Sequence, residues 1–527
     1  MLMVSEIPTP PPLPDTAPPV GTLPGRGRMA RLLFLLAAAL IVLAGAAIRL
    51  VLCRGDLLFD EIWSLYHLFY DPRTLCQHWW DVFWRIHHDN NHYLNSLYLW
   101  FLGPHQPYWL YRMQSAAFGI ATLIAVGVLA RRWWGRVEAL LGMVLTAASF
   151  RLIQFSSEAR GYGIMIFFVV LTLILALRWR EKPTPGRAVA VGLAILGGLL
   201  GHLTFIFAWA GLALWLGWEA RQQRRQAPQI VKQAAQLFAL PAALLLALVC
   251  ADLWHLNIGG GPQRTFFNVT GSVADLVLGL PTRGMGTLGL LLVVGLSLAA
   301  CLGMARTKSS AWIYFAATVL MLPPVSLLAY HPGHLAERYY AVAEFSFLLL
   351  LVWLLGRVWR WHPAGKVLVM LAVAAMLTGQ ITRLAQLMRQ GRGQYTQAVR
   401  YLFEHTEGPF VEVGANQSYD GKLLLPFYAD RLPPAVTQGK SFHYFEWHNW
   451  PAGGPEWLVY FAFRPNSTVE DGVSDDAGNV YQYRALFPAS PLSGMYLYIF
   501  HRVPGLRARS NNPVTGQPQF NPPPPQP

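Results

Sequence analysis

The stretch 59-FDEIWS-64 follows the first long apolar run of the chain and decides what kind of fold to expect. Its two adjacent carboxylates, Asp60 and Glu61, lie a few residues beyond a segment long enough to cross a membrane, and many further apolar segments follow. A charge at the centre of a bilayer costs about 2.5–3.5 kcal/mol on insertion scales, and less near the interface. The two acids are therefore either a solvated pair that starts a juxtamembrane helix or part of a site at the membrane surface.

The composition is that of a membrane protein. Of the 527 residues, 54% are hydrophobic and 13% are charged, whereas about 25% of a soluble domain is charged. The apolar residues form blocks of roughly 20, the length that crosses a bilayer core of about 30 Å. We predict a mainly α fold, a polytopic bundle of about eleven spans, in which the pair in 188–219 is the least clearly divided. The predicted spans are 32–53, 113–131, 137–154, 161–178, 188–205, 206–219, 235–255, 286–304, 311–330, 339–357 and 365–384.

The positive charges indicate the orientation of this bundle. Lys and Arg fall mainly in alternate short loops, as the positive-inside rule requires. We expect a multi-pass protein of the plasma (inner) membrane with a cytoplasmic N-terminus and an extracytoplasmic or periplasmic C-terminal region. The same distribution accounts for the net charge of +14 without nucleic acid, which we exclude as a partner.

Regions of different composition follow one another along the chain. The Pro-rich ends, residues 1–30 and 507–527, are typical of disordered tails. Residues 31–385 form the transmembrane module, whose first outer loop, 54–111, carries amphipathic segments with the Trp and Tyr spacing of interfacial helices. Residues 386–506 combine a helical segment with several strand-like segments between Gly, Pro and Asn turns, so we predict a small extracytoplasmic α/β domain.

Ionisable residues gather at the outer ends of the predicted spans, although they are far apart in the sequence. Carboxylates and arginines that converge on one membrane face suit an anionic lipid-linked substrate and a neutral acceptor. The residues concerned are Asp60, Glu61, Asp89, Glu158, Arg160, Glu337 and Arg338.

Four short motifs among these residues resemble those of the GT-C superfamily of polyprenyl-phosphate-sugar-dependent glycosyltransferases. The closest in style are the protein O-mannosyltransferases and the lipid A aminoarabinose transferases. The resemblance covers roughly residues 32–385 and rests on the order of the motifs and on their common side. The motifs are Asp60-Glu61, Asp89-x-x-His92, Ala159-Arg160-x-Tyr162 and Arg338-Tyr339. The chain departs from the family pattern after His92, where Tyr93 replaces a proline, and after Arg160, where Gly161 replaces a proline.

The chemistry of such a transfer assigns roles to these residues. A sugar on a polyprenyl phosphate already has a good leaving group, so one carboxylate must take the proton of the attacking hydroxyl and a cation must stabilise the departing phosphate. We assign Asp60 as the general base, with Glu61 as the substitute, and expect inversion at the anomeric carbon. If the acceptor is itself a phosphate, no base is needed and Asp60 would only orient it.

The remaining residues are assigned to the two substrates. The partners that this implies are a polyprenyl-phosphate-linked sugar donor, an extracytoplasmic lipid, glycan or protein acceptor, and the lipid bilayer. We assign the donor phosphate to Arg160, Arg338, Tyr162 and Tyr339, and the acceptor or the sugar to Asp89, His92, His88 and Glu158.

Each assignment has a structural alternative. The acids could cap a helix, form a turn or pair with a nearby arginine, the arginines could bind lipid headgroups without specificity, and the tyrosines could belong to an interfacial belt. No cofactor is required. A divalent metal is possible, because His88 and His92 would share one face of a helix, but Asn90-Asn91 argues against a regular helix there, so we assign no metal ligand.

Other functions remain open at this point. A transporter or flippase should carry ionisable groups near the middle of its spans, whereas these lie at span ends. A polysaccharide ligase or polymerase would also act on polyprenyl-linked glycans, and we would expect it to depend on arginine-rich outer loops. A structural scaffold for envelope assembly would leave the charged residues unexplained.

Overall fold

The computed structural model describes residues 24–256, 265–280, 285–325, 335–463, 472–490 and 494–507. Residues 24–30 of the predicted N-terminal tail already belong to the first helix, and the rest of both predicted tails lies outside the described residues, apart from Arg507 at the end of the last strand. The helices are α1 (Pro24–Leu52), α2 (Phe59–Phe69), α3 (Tyr93–Leu102), α4 (Tyr108–Trp133), α5 (Arg136–Ala148), α6 (Phe150–Phe155), α7 (Tyr162–Glu181), α8 (Pro185–Gly201), α9 (Ile206–Gln222), α10 (Ala227–Ala251), α11 (Phe266–Leu278), α12 (Gly286–Arg306), α13 (Trp312–Phe315), α14 (Ala341–Trp361), α15 (Pro363–Gln390), α16 (Tyr395–His405), α17 (Ser418–Ala429) and α18 (Pro434–Thr437).

Eight helices in the described part of the chain are long and apolar enough to cross a membrane. They correspond to eight of the predicted spans, and shorter helices lie in 137–154, in 188–205 and in the described part of 311–330, which ends at residue 325. The first of these three is divided at Ser149, whose side chain accepts a hydrogen bond from the N–H of Leu152 and so caps α6. The mainly helical membrane fold is confirmed, and the total of eleven spans stays a prediction.

Helix α2 owes its position to local sequence. Glu61 accepts the backbone N–H of Leu58 over 2.7 Å, the contact that a residue in the third position makes in a capping box. The buried residues Ile62, Leu65 and Leu68 recur every three residues and give the helix its apolar face. The helix ends at Phe69, and the proline that follows at position 72 cannot continue it. The two amphipathic helices predicted between the first two spans are thus present, as α2 and α3.

The C-terminal part contains a six-stranded mixed sheet. In it β1 runs parallel to β2 and β3, and the pairs β3–β6, β5–β6 and β4–β5 are antiparallel. The strand order is β2-β1-β3-β6-β5-β4. The predicted small C-terminal α/β domain is confirmed in kind, although its exact bounds stay a prediction. The strands are β1 (Phe410–Ala415), β2 (Ser441–Phe445), β3 (Trp457–Phe463), β4 (Val473–Ser474), β5 (Asn479–Ser490) and β6 (Met495–Arg507).

The first loop and the C-terminal part pack against each other. Asp56, just before α2, accepts hydrogen bonds from the backbone N–H and the hydroxyl of Thr396 over 2.8 and 2.7 Å. The Tyr428 hydroxyl of α17 donates to the carbonyl of Leu57 over 2.6 Å. One hydrophobic cluster continues through both regions and includes Leu65, Leu99, Leu402, Val413 and Leu424. This packing brings α17 beside α2.

Candidate active site

Asp60 lies between two arginines from distant parts of the chain. Its Oδ2 accepts a hydrogen bond from Nη1 of Arg338 over 2.8 Å and is also paired with Nη1 of Arg160. Arg160 precedes α7, and Arg338 lies in the 3₁₀ turn Glu337–Tyr340 before α14. The Asp60 side chain is 29% exposed, so the carboxylate between the two cations remains open to a solute. The structure therefore brings together three residues that the sequence assigned to one site.

Arg160 is held by polar side chains of the first loop and of α4. Its Nη2 donates to Oδ1 of Asn90 over 2.7 Å and lies 3.4 Å from Nε2 of His92. Asn90 in turn donates to the carbonyl of Asp60 over 2.6 Å, and the Ser115 hydroxyl donates to the Arg160 carbonyl over 2.8 Å. Arg160 is 5% exposed and His92 is 3% exposed. The predicted Asp-x-x-His element thus reaches Arg160 through His92.

Gly161 explains why the chain departs from the family pattern at this position. A Cβ there would lie 1.8 Å from the carbonyl oxygen of Gly201 and 2.8 Å from Cβ of His92. The backbone of the segment before α7 therefore touches the end of α8, and only glycine leaves enough room. This close approach fixes Arg160 beside His92.

Aromatic rings cover the arginines. The Arg160 guanidinium lies 5.1 Å from the ring centroid of Tyr162, and that of Arg338 lies 5.8 Å from the ring centroid of Tyr339. His92 stacks on His202 with ring centroids 4.6 Å apart. Burial, together with His202 and Arg160, lowers the pKa of His92 well below its usual value, so the ring is neutral and can accept a hydrogen bond from Arg160.

Glu61, the predicted substitute base, faces a different environment from its neighbour. Its carboxylate is fully buried and receives Nε and Nη2 of Arg112 over 2.8 and 2.6 Å. It also accepts the N–H groups of Ala159 and Leu58 over 2.6 and 2.7 Å. Burial alone would raise the pKa of Glu61, but Arg112 outweighs it and lowers the pKa below its usual range. A carboxylate with four donors is a structural anchor rather than a proton acceptor.

Glu158 also has a partner that its assignment to the acceptor did not foresee. Its Oε1 accepts Nη1 of Arg392 over 2.8 Å, and Nη2 of the same arginine donates to Ser157 over 2.6 Å. Both Glu158 and Arg392 are buried. The pair connects the segment before Arg160 to the turn between α15 and α16, so it anchors the site to the C-terminal part.

The remaining predicted residues lie on the α2 side of the site. His88 accepts the indole N–H of Trp63 over 3.2 Å, and its Nδ1 lies 2.9 Å from Oδ1 of Asp89. Next to them, the ring of His67 lies 4.5 Å from that of Trp63. In the described part of the chain no group of three or more His, Cys, Asp or Glu side chains could hold a metal ion. The possible divalent metal therefore stays untested.

Several contributors to the site carried no signal that the sequence analysis used. Asn90 entered the prediction only as an argument against a regular helix, and no role was predicted for Arg112 or His202. Arg392 and the first turn of α17 come from the predicted C-terminal domain, which the motifs do not reach. A pattern of buried polar residues at span ends could have indicated Arg112 and His202.

Comparison with known proteins adds the following. A family model described as dolichyl-phosphate-mannose-protein mannosyltransferase matches residues 88–257. This segment contains Asp89, His92 and Arg160 but neither Asp60 nor Arg338. The match confirms the predicted resemblance to GT-C glycosyltransferases and the predicted enzyme class. No curated protein sequence matches the chain significantly.

The chain is also similar to several solved structures. The chain is similar to ArnT from Cupriavidus metallidurans in the apo state (TM-score 0.48, 12% identity, 90% of this chain and 98% of that chain covered). It is also similar to ArnT from Cupriavidus metallidurans bound to undecaprenyl phosphate (TM-score 0.47, 14% identity, 91% of this chain and 99% of that chain covered). A further similar structure is the archaeal oligosaccharyltransferase AglB from Archaeoglobus fulgidus in complex with an inhibitory peptide and a dolichol-phosphate (TM-score 0.44, 12% identity, 92% of this chain and 75% of that chain covered).

Proposed function

We propose that the chain is an integral-membrane glycosyltransferase that moves one sugar from a polyprenyl-phosphate donor to an extracytoplasmic acceptor with inversion. The observation that carries this proposal is the contact of Arg160 and Arg338 with one oxygen of Asp60. A carboxylate between two arginines offers at one place the base and the phosphate-binding cations that the reaction requires. The match to a mannosyltransferase family model supports the class of donor. The acceptor is a hydroxyl of a lipid, a glycan or a protein.

Arg160 and Arg338 bind the donor phosphate. Both guanidinium groups already contact an anionic oxygen, and a phosphate oxygen offers the same charge to the same donors. Negative charge accumulates on the phosphate as the bond between the anomeric carbon and the phosphate oxygen breaks. The two cations therefore stabilise the transition state more than the bound donor. Tyr162 and Tyr339 keep the guanidinium groups in place through their ring faces.

Asp60 takes the proton of the attacking hydroxyl. The two arginines use its Oδ2, whereas its Oδ1 has no hydrogen-bond partner within the described residues. The acceptor oxygen forms a bond to the anomeric carbon, the phosphate leaves with the electron pair of the broken bond, and the proton passes to Oδ1. Attack from the face opposite the phosphate inverts the anomeric carbon. Asp89 and His88 lie on the acceptor side, and His92, Asn90 and Glu61 act as positioning residues.

The experiment uses the full chain in nanodiscs with a panel of radiolabelled polyprenyl-phosphate hexoses and pentoses. An envelope fraction from the source organism serves as the acceptor. We expect release of polyprenyl phosphate together with transfer of the label, and inversion by NMR of the product. Arg160→Lys and Arg338→Lys keep the charge but lose the planar fork, so each should lower turnover by at least about tenfold.

The matched control is Arg54→Lys, because Arg54 is an exposed arginine between α1 and α2. It should leave turnover unchanged. Two results would overturn the proposal: a donor panel from which no polyprenyl phosphate is released, or lysine variants of Arg160 and Arg338 with full turnover. Movement of the intact donor across the bilayer without cleavage would favour a flippase instead.

A further inference from the structure

The first turn of α17 places an aromatic side chain and a carboxylate beside α2. The ring centroid of Tyr419 lies 5.8 Å from that of Phe59 and 5.3 Å from that of Trp63. Phe59 and Trp63 come before and after Asp60 in α2. Phe59 and Trp63 stack with their centroids 5.7 Å apart. Tyr419 is nonetheless 50% exposed. The three rings therefore form an aromatic surface next to the carboxylate of the proposed base.

Asp420 adds a carboxylate without a partner to this surface. No hydrogen bond or ion pair of Asp420 is found in the described part of the chain, and its side chain is half-buried. Burial raises the pKa of Tyr419, and the negative charges of Asp420, Asp89 and Asp60 raise it further. Three carboxylates thus act on one exposed phenol. Arg160 and Arg338 are paired with Asp60, whereas no cation pairs with Asp420 in the described part of the chain.

A buried, neutral histidine supports Trp63 from within the fold. The Thr74 hydroxyl donates to the carbonyl of His67 over 2.9 Å, so the proton between His67 Nδ1 and Thr74 Oγ1, 3.0 Å apart, belongs to the histidine. Nε2 of His67 is then an acceptor, and it has no partner within the described residues. The side chain is buried and in ring contact with Trp63. Burial, reinforced by His88, lowers the pKa of His67 to about 4, so the ring is neutral at neutral pH.

We propose that Tyr419 and Asp420 complete an acceptor subsite on α2, and that this subsite takes an uncharged sugar ring rather than a phosphate. The proposal rests on the proposed function and names the acceptor class for it. Aromatic faces stack on the C–H face of a pyranose, and a few convergent polar groups fix its orientation. The Asp420 carboxylate accepts hydrogen bonds from ring hydroxyls, while one hydroxyl is presented to Asp60. A phosphate acceptor would be repelled by the carboxylate of Asp420, which no cation of the described residues offsets.

Asp420 also has a purely structural alternative. A carboxylate in the first turn of a helix interacts favourably with the helix dipole. That role concerns stability alone and would not depend on the charge of an acceptor. The test must therefore compare acceptors of different charge in the same variant.

The experiment uses the full chain in nanodiscs, a donor that releases polyprenyl phosphate in the assay above, and three acceptor probes. These are methyl α-mannoside, its 6-phosphate, and the peptide acetyl-Ala-Thr-Ala-amide. We expect the neutral glycoside to be the best acceptor and its phosphate to be at least about tenfold slower. Removing the charge of Asp420 in Asp420→Asn should reduce that preference about threefold to tenfold. Tyr419→Ala should raise the KM for methyl α-mannoside and leave the donor KM unchanged.

The matched control is Asp430→Asn at the far end of the same helix, where Asp430 is 59% exposed and pairs with Arg431. It should leave the ratio of the two glycosides unchanged. Donor cleavage with a preference for the phosphorylated probe or the peptide overturns the inference and leaves the proposed function intact. An unchanged ratio in Asp420→Asn overturns it as well. A wild-type chain that cleaves no donor contradicts the proposed function itself, and the acceptor subsite with it.

Discussion

Nη1 of Arg338 lies 2.8 Å from Oδ2 of Asp60, although 278 positions separate the two residues in the chain. The contact joins the start of α2 to the turn before α14. Arg160 is paired with the same oxygen. Oδ1 of Asp60 has no hydrogen-bond partner among the residues that the structure describes. One carboxylate thus both orders two cations and keeps an oxygen available for a proton.

The first prediction concerns Asp60. Asp60→Asn removes the proton acceptor, and we expect transfer to a hydroxyl acceptor to fall about 10²–10⁴-fold, the usual contribution of a general base. Polyprenyl phosphate should bind at least as tightly as before, because Asn no longer competes with it for the two arginines. Turnover and the dissociation constant of polyprenyl phosphate measure the two effects. The control is Asp476→Asn, because Asp476 is an exposed acid of the C-terminal part. Full turnover of the Asp60→Asn variant would contradict the role of Asp60 as the base.

Glu61 should behave in the opposite way. Glu61→Gln leaves the guanidinium of Arg112 buried without a counter-charge, which typically costs about 3–5 kcal/mol. We expect a clear drop in the thermal unfolding temperature of the purified chain, whereas Asp60→Asn should change that temperature little. The double variant Glu61→Leu/Arg112→Leu removes both charges and should recover part of the loss. Equal unfolding temperatures of Glu61→Gln and the wild type would show that the ion pair does not anchor α2.

The different environments of Asp60 and Glu61 mark the limit of what the sequence predicts. The motif indicated a pair of acids at a membrane surface, and topology indicated the same side for Arg160 and Arg338. Adjacent residues of a helix point about 100° apart, so one acid faces the site and the other faces the core. Which is which depends on the position of Arg112 in α4, and that position follows from packing between helices.

The approach of α17 to α2 lay beyond the sequence for a similar reason. The change of composition near residue 385 correctly indicated a second region with strands. Composition cannot indicate that the second region shares a hydrophobic core with the first loop, because such contacts join residues more than 300 positions apart, as between Leu57 and Tyr428. The sequence therefore assigned no role to Tyr419 or Asp420.

The third prediction tests the close approach that fixes Arg160. In Gly161→Ala the new Cβ would lie 1.8 Å from the carbonyl oxygen of Gly201. The backbone at one of these two residues must move to relieve this clash. We expect a loss of stability of about 1–3 kcal/mol or more and a lower rate of transfer, because Arg160 directly precedes the substituted residue. Gly217→Ala in α9 is the control, since nothing lies within 4 Å of its Cβ. The free energy of unfolding of Gly217→Ala should rise by about 0.5–1 kcal/mol. The two Gly→Ala variants should therefore shift the unfolding temperature in opposite directions.

The last prediction uses the pH dependence of Asp420. Burial and the nearby charge of Asp60 raise the pKa of Asp420 from 3.8 to about 6, and its other titratable neighbours are Tyr419, Tyr395 and Tyr444. Between these two pKa values the folded chain binds more protons than the unfolded chain. The contribution of Asp420 to stability is therefore lost as the pH rises through that window.

Asp420→Asn removes this dependence, so it should raise the unfolding temperature at pH 7.5 and leave it nearly unchanged at pH 4. For catalysis the sign is reversed, because only the ionised carboxylate accepts a hydroxyl hydrogen bond without a proton of its own. In the wild type kcat/KM for methyl α-mannoside should rise through about pH 6, and in Asp420→Asn that rise should flatten. Asp430→Asn should keep the wild-type profile. A variant of Asp420 that is less stable at pH 7.5, or that keeps the rise near pH 6, would contradict the assignment of this carboxylate to the acceptor.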